Sequence, residues 1–358
     1  MPNHRCTFGL SLICATRHRL PAGAALAAAA LGLCALPGCG PPPKPAEPDA
    51  VLLGDEPAAA GGVDEAAPPE LKRAVAAIEK EAYAEALPLL DQVLKAEPDN
   101  AQAVYYRALA LDMTGKREQA EQGYRRAIEL DAGLVNARFN LAMLYLEDPP
   151  RPEPAIAVLE PAVRLDPKAL DVREKLALAY QLAKQYDKAA AEYEAALGLS
   201  DVPRVHFNYA DMLFEAGRRE QAVPHMRQAF PAFQKDKENV VVLAQRFAQS
   251  HAYEDCVRAF GAAIALDAKN PGHYVYRGLC QHELKKEREA QQDFRAAAAA
   301  DPSFQPAPYY LGRSLVASGQ ADEGARSLRR AVELGPGTPV GKKAAAELEE
   351  MKARGARR

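Results

Sequence analysis

Histidines and carboxylates are the side chains from which this chain would build a catalytic or metal site. Beyond residue 40 the histidines are His206, His225, His251, His273 and His282. No two are three or four residues apart, the spacing that places two ligands on one face of a helix. His282 precedes Glu283, but a surface histidine explains this pair more simply than a catalyst. The sequence therefore predicts no metal centre and no catalytic residue.

Motifs for phosphate binding and for nucleophilic catalysis are also missing. No glycine-rich loop joins a strand to a helix, and no nucleophile elbow occurs. Without the early arginines Arg5, Arg17 and Arg19, the chain carries 42 basic and 48 acidic residues. This acidic balance argues against a nucleic-acid partner. We expect no cofactor, no small-molecule substrate and no enzymatic activity.

The beginning of the chain is typical of an export signal. Residues 1–46 contain no acidic residue, and the apolar run from Ala22 to Leu36 carries no charge. This run is too short and too rich in alanine to favour a membrane span. An ordinary secretory signal, or an apolar run without function, remains an alternative.

The four residues Leu36-Pro37-Gly38-Cys39 resemble the lipobox of bacterial lipoproteins. The resemblance implies a signal peptide over residues 1–38 and a diacylglycerol group on Cys39, which would become the N-terminus. It also implies a lipid-anchored protein of the bacterial cell envelope, with Gly40 favouring the outer membrane on its periplasmic face. A periplasmic or secreted protein is the alternative.

Only Cys256 and Cys280 would remain in the mature chain as unmodified cysteines. Two cysteines do not make a disulfide framework, and the sequence does not place them within bridging distance. Cys256 is expected to be a small buried side chain. Whether the two cysteines pair is left open.

A unit of about 34 residues recurs from Ala67 to Thr338. Its first helical segment centres on a small residue: Ala74, Ala108, Ala142, Ala177, Ala210, Ala244, Gly278 and Gly312. Its second segment begins with a small residue: Ala86, Ala120, Ala155, Ala189, Ala222, Cys256, Ala290 and Gly324. A large residue follows: Leu90, Tyr124, Leu159, Tyr193, Met226, Phe260, Phe294 and Leu328. A further small residue ends the pattern: Val93, Ala127, Ala162, Ala196, Ala229, Ala263, Ala297 and Ala331. Small side chains let helices approach closely, and the large ones fill the gaps between turns.

This pattern resembles the tetratricopeptide repeat (TPR), and the resemblance covers about three quarters of the chain. It implies an all-α solenoid of helix-turn-helix units in a right-handed superhelix. The predicted repeats span 67–100, 101–134, 135–169, 170–202, 203–236, 237–270, 271–304 and 305–338. A disordered tether rich in proline and alanine is predicted over 39–66. A capping helix and tail are predicted over 339–358, where Val340, Ala344, Leu348 and Met351 form one stripe.

One arc of the first helices is expected to bind a partner. At about 100 degrees per residue, the arc spans about 40 to about 160 degrees from the small residue. In the TPR family this arc lines a concave groove that holds peptides. The resemblance assigns the groove to Tyr105, Leu109, Phe139, Asn140, Phe207, Asn208, Asp211, Tyr276, His282, Tyr309 and Arg313. Aromatic rings would supply contact area, and asparagine can bond a backbone amide in both directions. The alternative for each aromatic residue is that it fills a gap between neighbouring first helices.

Better-defined relatives of this repeat do not fit. The TPRs that clamp a terminal carboxylate need lysine and arginine beside their asparagines, and the places around Asn140 and Asn208 lack that set. An asparagine ladder would need asparagine in nearly every repeat, but only these two occur at that place. The related pentatricopeptide repeats commonly bind RNA, which the acidic balance disfavours.

The sequence thus favours a non-catalytic scaffold that binds a peptide or helix of a partner protein. Its membrane contact would be the lipid on Cys39, and its role would be the assembly of an envelope complex such as a pilus or secretion machine. A structural spacer without a specific ligand is the first alternative. An enzyme with its site in the groove is the second.

Overall fold

A computed structural model describes residues 66–147 and 149–355. Over these residues it contains α-helices and no strand, which confirms the predicted all-α fold. The predicted signal peptide and Cys39 lie outside the described residues. The helices are α1 (Pro69–Ile78), α2 (Tyr83–Ala96), α3 (Ala101–Met113), α4 (Arg117–Leu130), α5 (Val135–Leu146), α6 (Pro152–Leu165), α7 (Leu170–Leu182), α8 (Tyr186–Leu199), α9 (Pro203–Glu215), α10 (Arg219–Phe233), α11 (Lys237–Gln249), α12 (Tyr253–Leu266), α13 (Pro271–Glu283), α14 (Glu287–Ala300), α15 (Pro306–Ala317), α16 (Ala321–Leu334) and α17 (Pro339–Gly355).

The helices pack in chain order. Odd-numbered helices from α1 to α15 are the first helices of the eight sequence repeats, and even-numbered helices are the second. Every helix packs against the one before it and the one after it. Smaller interfaces join next-but-one helices, such as α1 with α3 and α5 with α7. Each repeat therefore buries its apolar surface against its immediate neighbours, as a solenoid requires.

The repeated small and large residues form the core. In all eight repeats, the four places identified in the sequence are buried. Tyr124, Leu159 and Phe260 have no exposed surface, and the small residues beside them leave room for the rings and branched chains. The alternation of small, large and small residues is therefore the packing rule of this fold.

Two glycines show how closely the helices approach. A Cβ atom on Gly278 of α13 would lie 2.7 Å from the Phe294 ring of α14. A Cβ atom on Gly312 would lie 2.7 Å from Leu328 and 2.9 Å from the carbonyl oxygen of Gly324. Alanine occupies the same place in the first six repeats. In the last two repeats only glycine leaves enough space for the second helix.

The last helix, α17, closes the array. Val340 and Ala344 pack against Tyr309, Leu328 and Ala331 of the eighth repeat. Leu348 and Met351 extend the contact as half-buried side chains. The predicted capping helix is thus confirmed, and its apolar stripe covers the surface that a ninth repeat would have covered.

A left-handed residue lies in the turn between the two helices of seven repeats. Four of these residues have a side chain: Glu81 (φ 58°), Lys184 (φ 58°), His251 (φ 58°) and Lys285 (φ 62°). The other three are Gly115 (φ 77°), Gly217 (φ 76°) and Gly319 (φ 82°). The third repeat, with its proline-rich insertion at residues 149–154, has no such residue among those described. A side chain in this conformation carries a steric cost that glycine avoids.

Cys256 of α12 and Cys280 of α13 form a disulfide, with their Cα atoms 6.4 Å apart. Both side chains are buried. The bond joins the second helix of the sixth repeat to the first helix of the seventh. The sequence left this pairing open, because residues 24 apart in a repeat protein meet only if their places face each other across a junction.

Two histidines from different helices are in direct contact. Nδ1 of His206 in α9 lies 2.8 Å from Nδ1 of His225 in α10, so one nitrogen donates and the other accepts. Nε2 of His206 lies 2.6 Å from a carboxylate oxygen of Asp201. The Tyr209 ring lies against His225, and the Tyr209 hydroxyl donates to Glu194. A spacing of three or four residues along the chain does not reveal this pair, because the two histidines lie on different helices.

We predict that Lys285→Gly stabilises the array. The substitution removes the steric cost of the left-handed conformation, and part of this gain is offset by the greater freedom of glycine in the unfolded chain. The free energy of unfolding should rise by about 0.5–1 kcal/mol, measured from urea unfolding followed by circular dichroism. The matched control, Gly319→Ala, should lower it by about 1 kcal/mol. Destabilisation by both substitutions would contradict the assignment of the turn.

We also predict that the array loses stability as the pH falls from 7 to 5. Burial lowers the pKa of His225, with a further contribution from the His206 charge, against the opposing effect of Glu194. Burial likewise lowers the pKa of His273, which lies near Asp267 and Lys237. Below about pH 6.5 the unfolded chain therefore binds protons at these histidines that the folded chain does not bind, and this favours unfolding.

Each of these two histidines contributes up to about 1.4 kcal/mol per pH unit to the loss. Urea midpoints of the wild type and of His225→Gln with His273→Gln should be compared at pH 7 and pH 5. The variant should lose less stability over this interval. An equal loss in both proteins would show that other groups govern the acid sensitivity.

Candidate functional site

The candidate site is the arc of the first helices that the sequence predicted as a partner-binding surface. We call it the first-helix face. Hydrogen bonds between residues about one repeat apart hold neighbouring first helices side by side. Asn208 donates to Glu174 at 2.6 Å, and Gln181 donates to Glu215 at 3.1 Å. Arg246 donates to Asp211 at 2.9 Å. These bonds make the predicted places one continuous surface across α7, α9 and α11.

More than half of the predicted groove residues are buried by the chain itself. Six of them have at most 9% of their surface exposed: Tyr105, Leu109, Asn140, Phe207, Tyr276 and Tyr309. The Tyr276 ring stacks on Phe260 of the preceding helix, with centroids 5.3 Å apart. The Phe207 ring contacts Phe233 of α10 at 4.8 Å. For these residues the structure agrees with the alternative reading, in which the aromatic side chains fill gaps between helices.

The two asparagines already use their amide groups. The side-chain nitrogen of Asn140 donates to the Tyr105 hydroxyl at 3.2 Å, and Asn208 donates to Glu174. Each amide nitrogen therefore uses one of its two N–H groups within the array. Their role in this structure is to join neighbouring first helices, because a buried amide needs a partner.

The remaining predicted residues are partly or fully accessible, and all but one form a polar contact. Phe139 is half-buried. Asp211 pairs with Arg246, and Nδ1 of His282 lies 2.7 Å from Glu287. Arg313 is exposed and lies 3.2 Å from Glu347 of the capping helix. Accessible apolar contact area is supplied instead by two residues of the same arc, Met113 and Leu182, which are 46% and 40% exposed.

The first-helix face is acidic. The arc comprises six places in each repeat, which lie six, three and two residues before the small residue and one, four and five residues after it. In the eight repeats these places carry the carboxylates Glu79, Asp112, Glu147, Asp171, Glu174, Asp211, Glu215, Glu238 and Glu283. The same places carry four bases: Lys72, Lys175, Arg204 and Arg313. The resulting balance is −5, against −6 for the chain without the three early arginines, so most of the net negative charge falls at these places.

Partial burial shifts the titration of several groups on this face. Burial raises the pKa of the Asp112 carboxyl, to which the Tyr124 hydroxyl donates. Burial also raises the pKa of Glu215, with a contribution from the neighbouring charge of Asp211. Burial lowers the pKa of Lys175. In each case the charged form lacks part of the solvation that water would provide.

Arg204 is the main cation of the central repeats. Its guanidinium lies 3.0 Å from Asp171 and 2.8 Å from Glu174, so one base faces two carboxylates. The Glu174 side chain is 5% exposed and also accepts from Asn208, which fixes its position. This arrangement holds the first helices together and leaves the face with excess negative charge.

The described residues show no metal-binding group of three or more histidine, cysteine, aspartate or glutamate side chains. In the same part of the chain, no helix combines the length and the apolar character that crossing a bilayer requires. Cys39 cannot be placed, because it precedes the described residues.

Comparison with known proteins identifies the repeat. A sequence profile described as the tetratricopeptide repeat matches residues 71–135, 151–201 and 183–236. The Small glutamine-rich tetratricopeptide repeat-containing protein 2 of Mycosarcoma maydis is 30% identical over 99 residues. That alignment covers 28% of this chain and 28% of the relative, so the likeness concerns a set of repeats and not the whole protein.

Solved structures with similar coordinates include MamA from AMB-1, yeast Tom70 and the thermophilic TPR protein TTC0263 from Thermus thermophilus. MamA is 23% identical, with a TM-score of 0.41 over 45% of this chain and 87% of its own. Tom70 is 16% identical, with a TM-score of 0.43 over 83% of this chain and 66% of its own. TTC0263 is 23% identical, with a TM-score of 0.38 over 50% of this chain and 97% of its own.

The identification rests on the sequence match and on the helices observed. The matched segments fall on the first five repeats of the array, and their helices pair as first and second helices in each repeat. The later repeats keep the same buried places. Over residues 71–135 and 151–236 the chain therefore matches the tetratricopeptide repeat, and its described residues form an all-α array of packed helix pairs.

Proposed function

We propose that this protein is a non-catalytic scaffold of the bacterial envelope whose first-helix face binds a peptide or helix of a partner protein. The observation that carries the proposal is the presence of Met113 and Leu182 on this face, where 46% and 40% of their surfaces remain accessible. Methionine is enriched in the buried cores of protein interfaces, and accessible apolar side chains beside polar ones give a second chain surface to pack against. The partner would contribute to an envelope assembly such as a pilus or secretion complex.

The comparisons support a binding role at the level of the repeat. The relative from Mycosarcoma maydis is named for its tetratricopeptide repeats and its glutamine-rich character, and its name specifies no reaction. Helical repeat arrays offer long surfaces for other chains, because each repeat adds one helix to the same face. A fold does not decide a function, so the proposal rests on the exposed residues of the face.

The envelope location is supported by two features. Leu36-Pro37-Gly38-Cys39 has the residues of a lipoprotein signal. The Cys256–Cys280 disulfide suits an oxidising compartment, since disulfides persist outside the cytosol. Together they favour a chain that is exported and then anchored through Cys39.

The partner site can be tested with two matched pairs of substitutions. The first pair, Met113→Glu with Leu182→Glu, places negative charge in the proposed contact. The control pair, Leu199→Glu with Leu266→Glu, places the same charge on two leucines that end second helices and are each 41% exposed. Each protein would be crosslinked in the native envelope, and its partners identified by mass spectrometry.

We expect the first pair to abolish recovery of a specific protein partner and the second pair to leave it unchanged. Circular dichroism should show the same helix content in both. Unchanged recovery with the first pair would favour a structural spacer or another surface.

The lipid anchor can be tested by growth with radiolabelled palmitate. The wild type should incorporate the label, and Cys39→Ser should not, because the thiol that accepts the diacylglycerol is missing. Cys34→Ser is the matched control and should stay labelled. Equal labelling of wild type and Cys39→Ser would exclude a lipid on Cys39.

A further inference from the structure

Over the first five repeats, one row of residues at the C-terminal ends of the first helices alternates in chemical character from repeat to repeat. The row consists of the residue five places after the small residue of each first helix. In the first five repeats it reads Glu79, Met113, Glu147, Leu182 and Glu215. We call these five residues the ridge. They alternate strictly between a carboxylate and a large apolar side chain.

The ridge faces solvent along its whole length. All five residues are exposed, and Met113 and Leu182 are two of the five large apolar side chains that are most exposed in the described residues. The other three, Leu165, Leu199 and Leu266, end second helices. The ridge is therefore where exposed apolar surface and the negative charge of the first-helix face coincide.

The carboxylates of the ridge differ in how they are neutralised. Arg117 pairs with Glu147 at 2.6 Å. Glu215 accepts from the neutral amide of Gln181, and its repulsion from Asp211 is offset only in part by Arg246, which pairs with Asp211. A cation from outside would relieve this repulsion. A partner with negative charge would increase it.

We infer that the ridge binds a partner α-helix that presents basic and apolar residues in alternation at every seventh position. This inference rests on the proposed function and names the chemistry of the partner. First helices of adjacent repeats touch only through small interfaces, so the separation of about 8–10 Å that directly packed helices keep is a lower bound for the spacing of ridge residues. Seven residues of an α-helix rise about 10.5 Å and complete about two turns, so every seventh side chain points to the same side.

An extended strand does not fit the same row. Three residues of a strand span about 10 Å, but side chains three apart point to opposite faces. Only every second contact would then reach the ridge. A partner helix that crosses the first helices meets one ridge residue per repeat. Its lysine or arginine side chains would contact Glu79, Glu147 and Glu215, and its apolar side chains would contact Met113 and Leu182.

The test uses synthetic peptides as probes for the full array. The first is an alanine- and glutamine-rich helix of about 29 residues with lysine and leucine alternating at every seventh position. The second has glutamate in place of lysine, and the third has the composition of the first with its lysines and leucines moved off the seven-residue spacing. Binding would be measured by fluorescence anisotropy at low and at physiological salt.

The wild type should bind the lysine peptide at least about tenfold more tightly than the glutamate peptide and the displaced peptide. The variant Glu79→Lys with Glu215→Lys should reverse the preference between the lysine and glutamate peptides. The matched control, Glu85→Lys with Glu220→Lys, changes exposed glutamates on the second helices of the same two repeats by the same net charge. It should keep the wild-type preference.

Two results would overturn the inference. Equal binding of the displaced and the regular lysine peptides would show that the seven-residue spacing is irrelevant. Equal effects of the two charge-reversal variants would show that only the overall charge of the array determines binding. If the native partner is lost on Met113→Glu with Leu182→Glu while either result holds, the scaffold proposal stands and only the chemistry of the partner is wrong. If the partner is retained, both proposals fail together.

Discussion

Close helix packing through small side chains is the constraint on which this structure depends. Alanine or glycine at the centre of each first helix lets the second helix approach until backbones and ring faces are in contact. The large residue between two small ones then fills the remaining space, as Tyr124 and Phe260 do without any exposed surface. Because this packing uses only neighbouring helices, the chain builds an extended surface without a central core. The opposite side of each first helix packs against second helices, and the first-helix face is the side that this packing leaves uncovered.

The fold was largely predictable from the sequence, because one repeated packing rule determines it. Places such as Ala108 and Leu159 recur at nearly constant spacing, and a periodic signal over many copies identifies both the helices and their buried sides. The capping helix followed from the stripe containing Val340 and Ala344. These predictions depend on local period and on residue size, which a sequence displays directly.

The candidate site was only partly predictable. Helical period assigns Tyr105, Phe207 and Tyr276 to the predicted arc, but it does not show whether a neighbouring helix covers them. Coverage depends on the side chains of the next repeat, such as Phe260 beneath Tyr276. The same reason explains why the histidine pair and the disulfide were missed or left open. Such contacts between helices follow no period, whereas the ridge became recognisable once exposure separated its members from the buried residues of the arc.

The disulfide has a mechanical consequence for a chain held at one end. If tension pulled on this protein, its repeats would unravel one after another, since each is secured mainly by its neighbours. The segment from Cys256 to Cys280 would be bypassed, because the covalent link between α12 and α13 transmits the force directly. The segment has a contour length of about 80 Å, and it could not extend until the disulfide was reduced. A chain with this link has a region near its C-terminus that resists stretching while the rest yields.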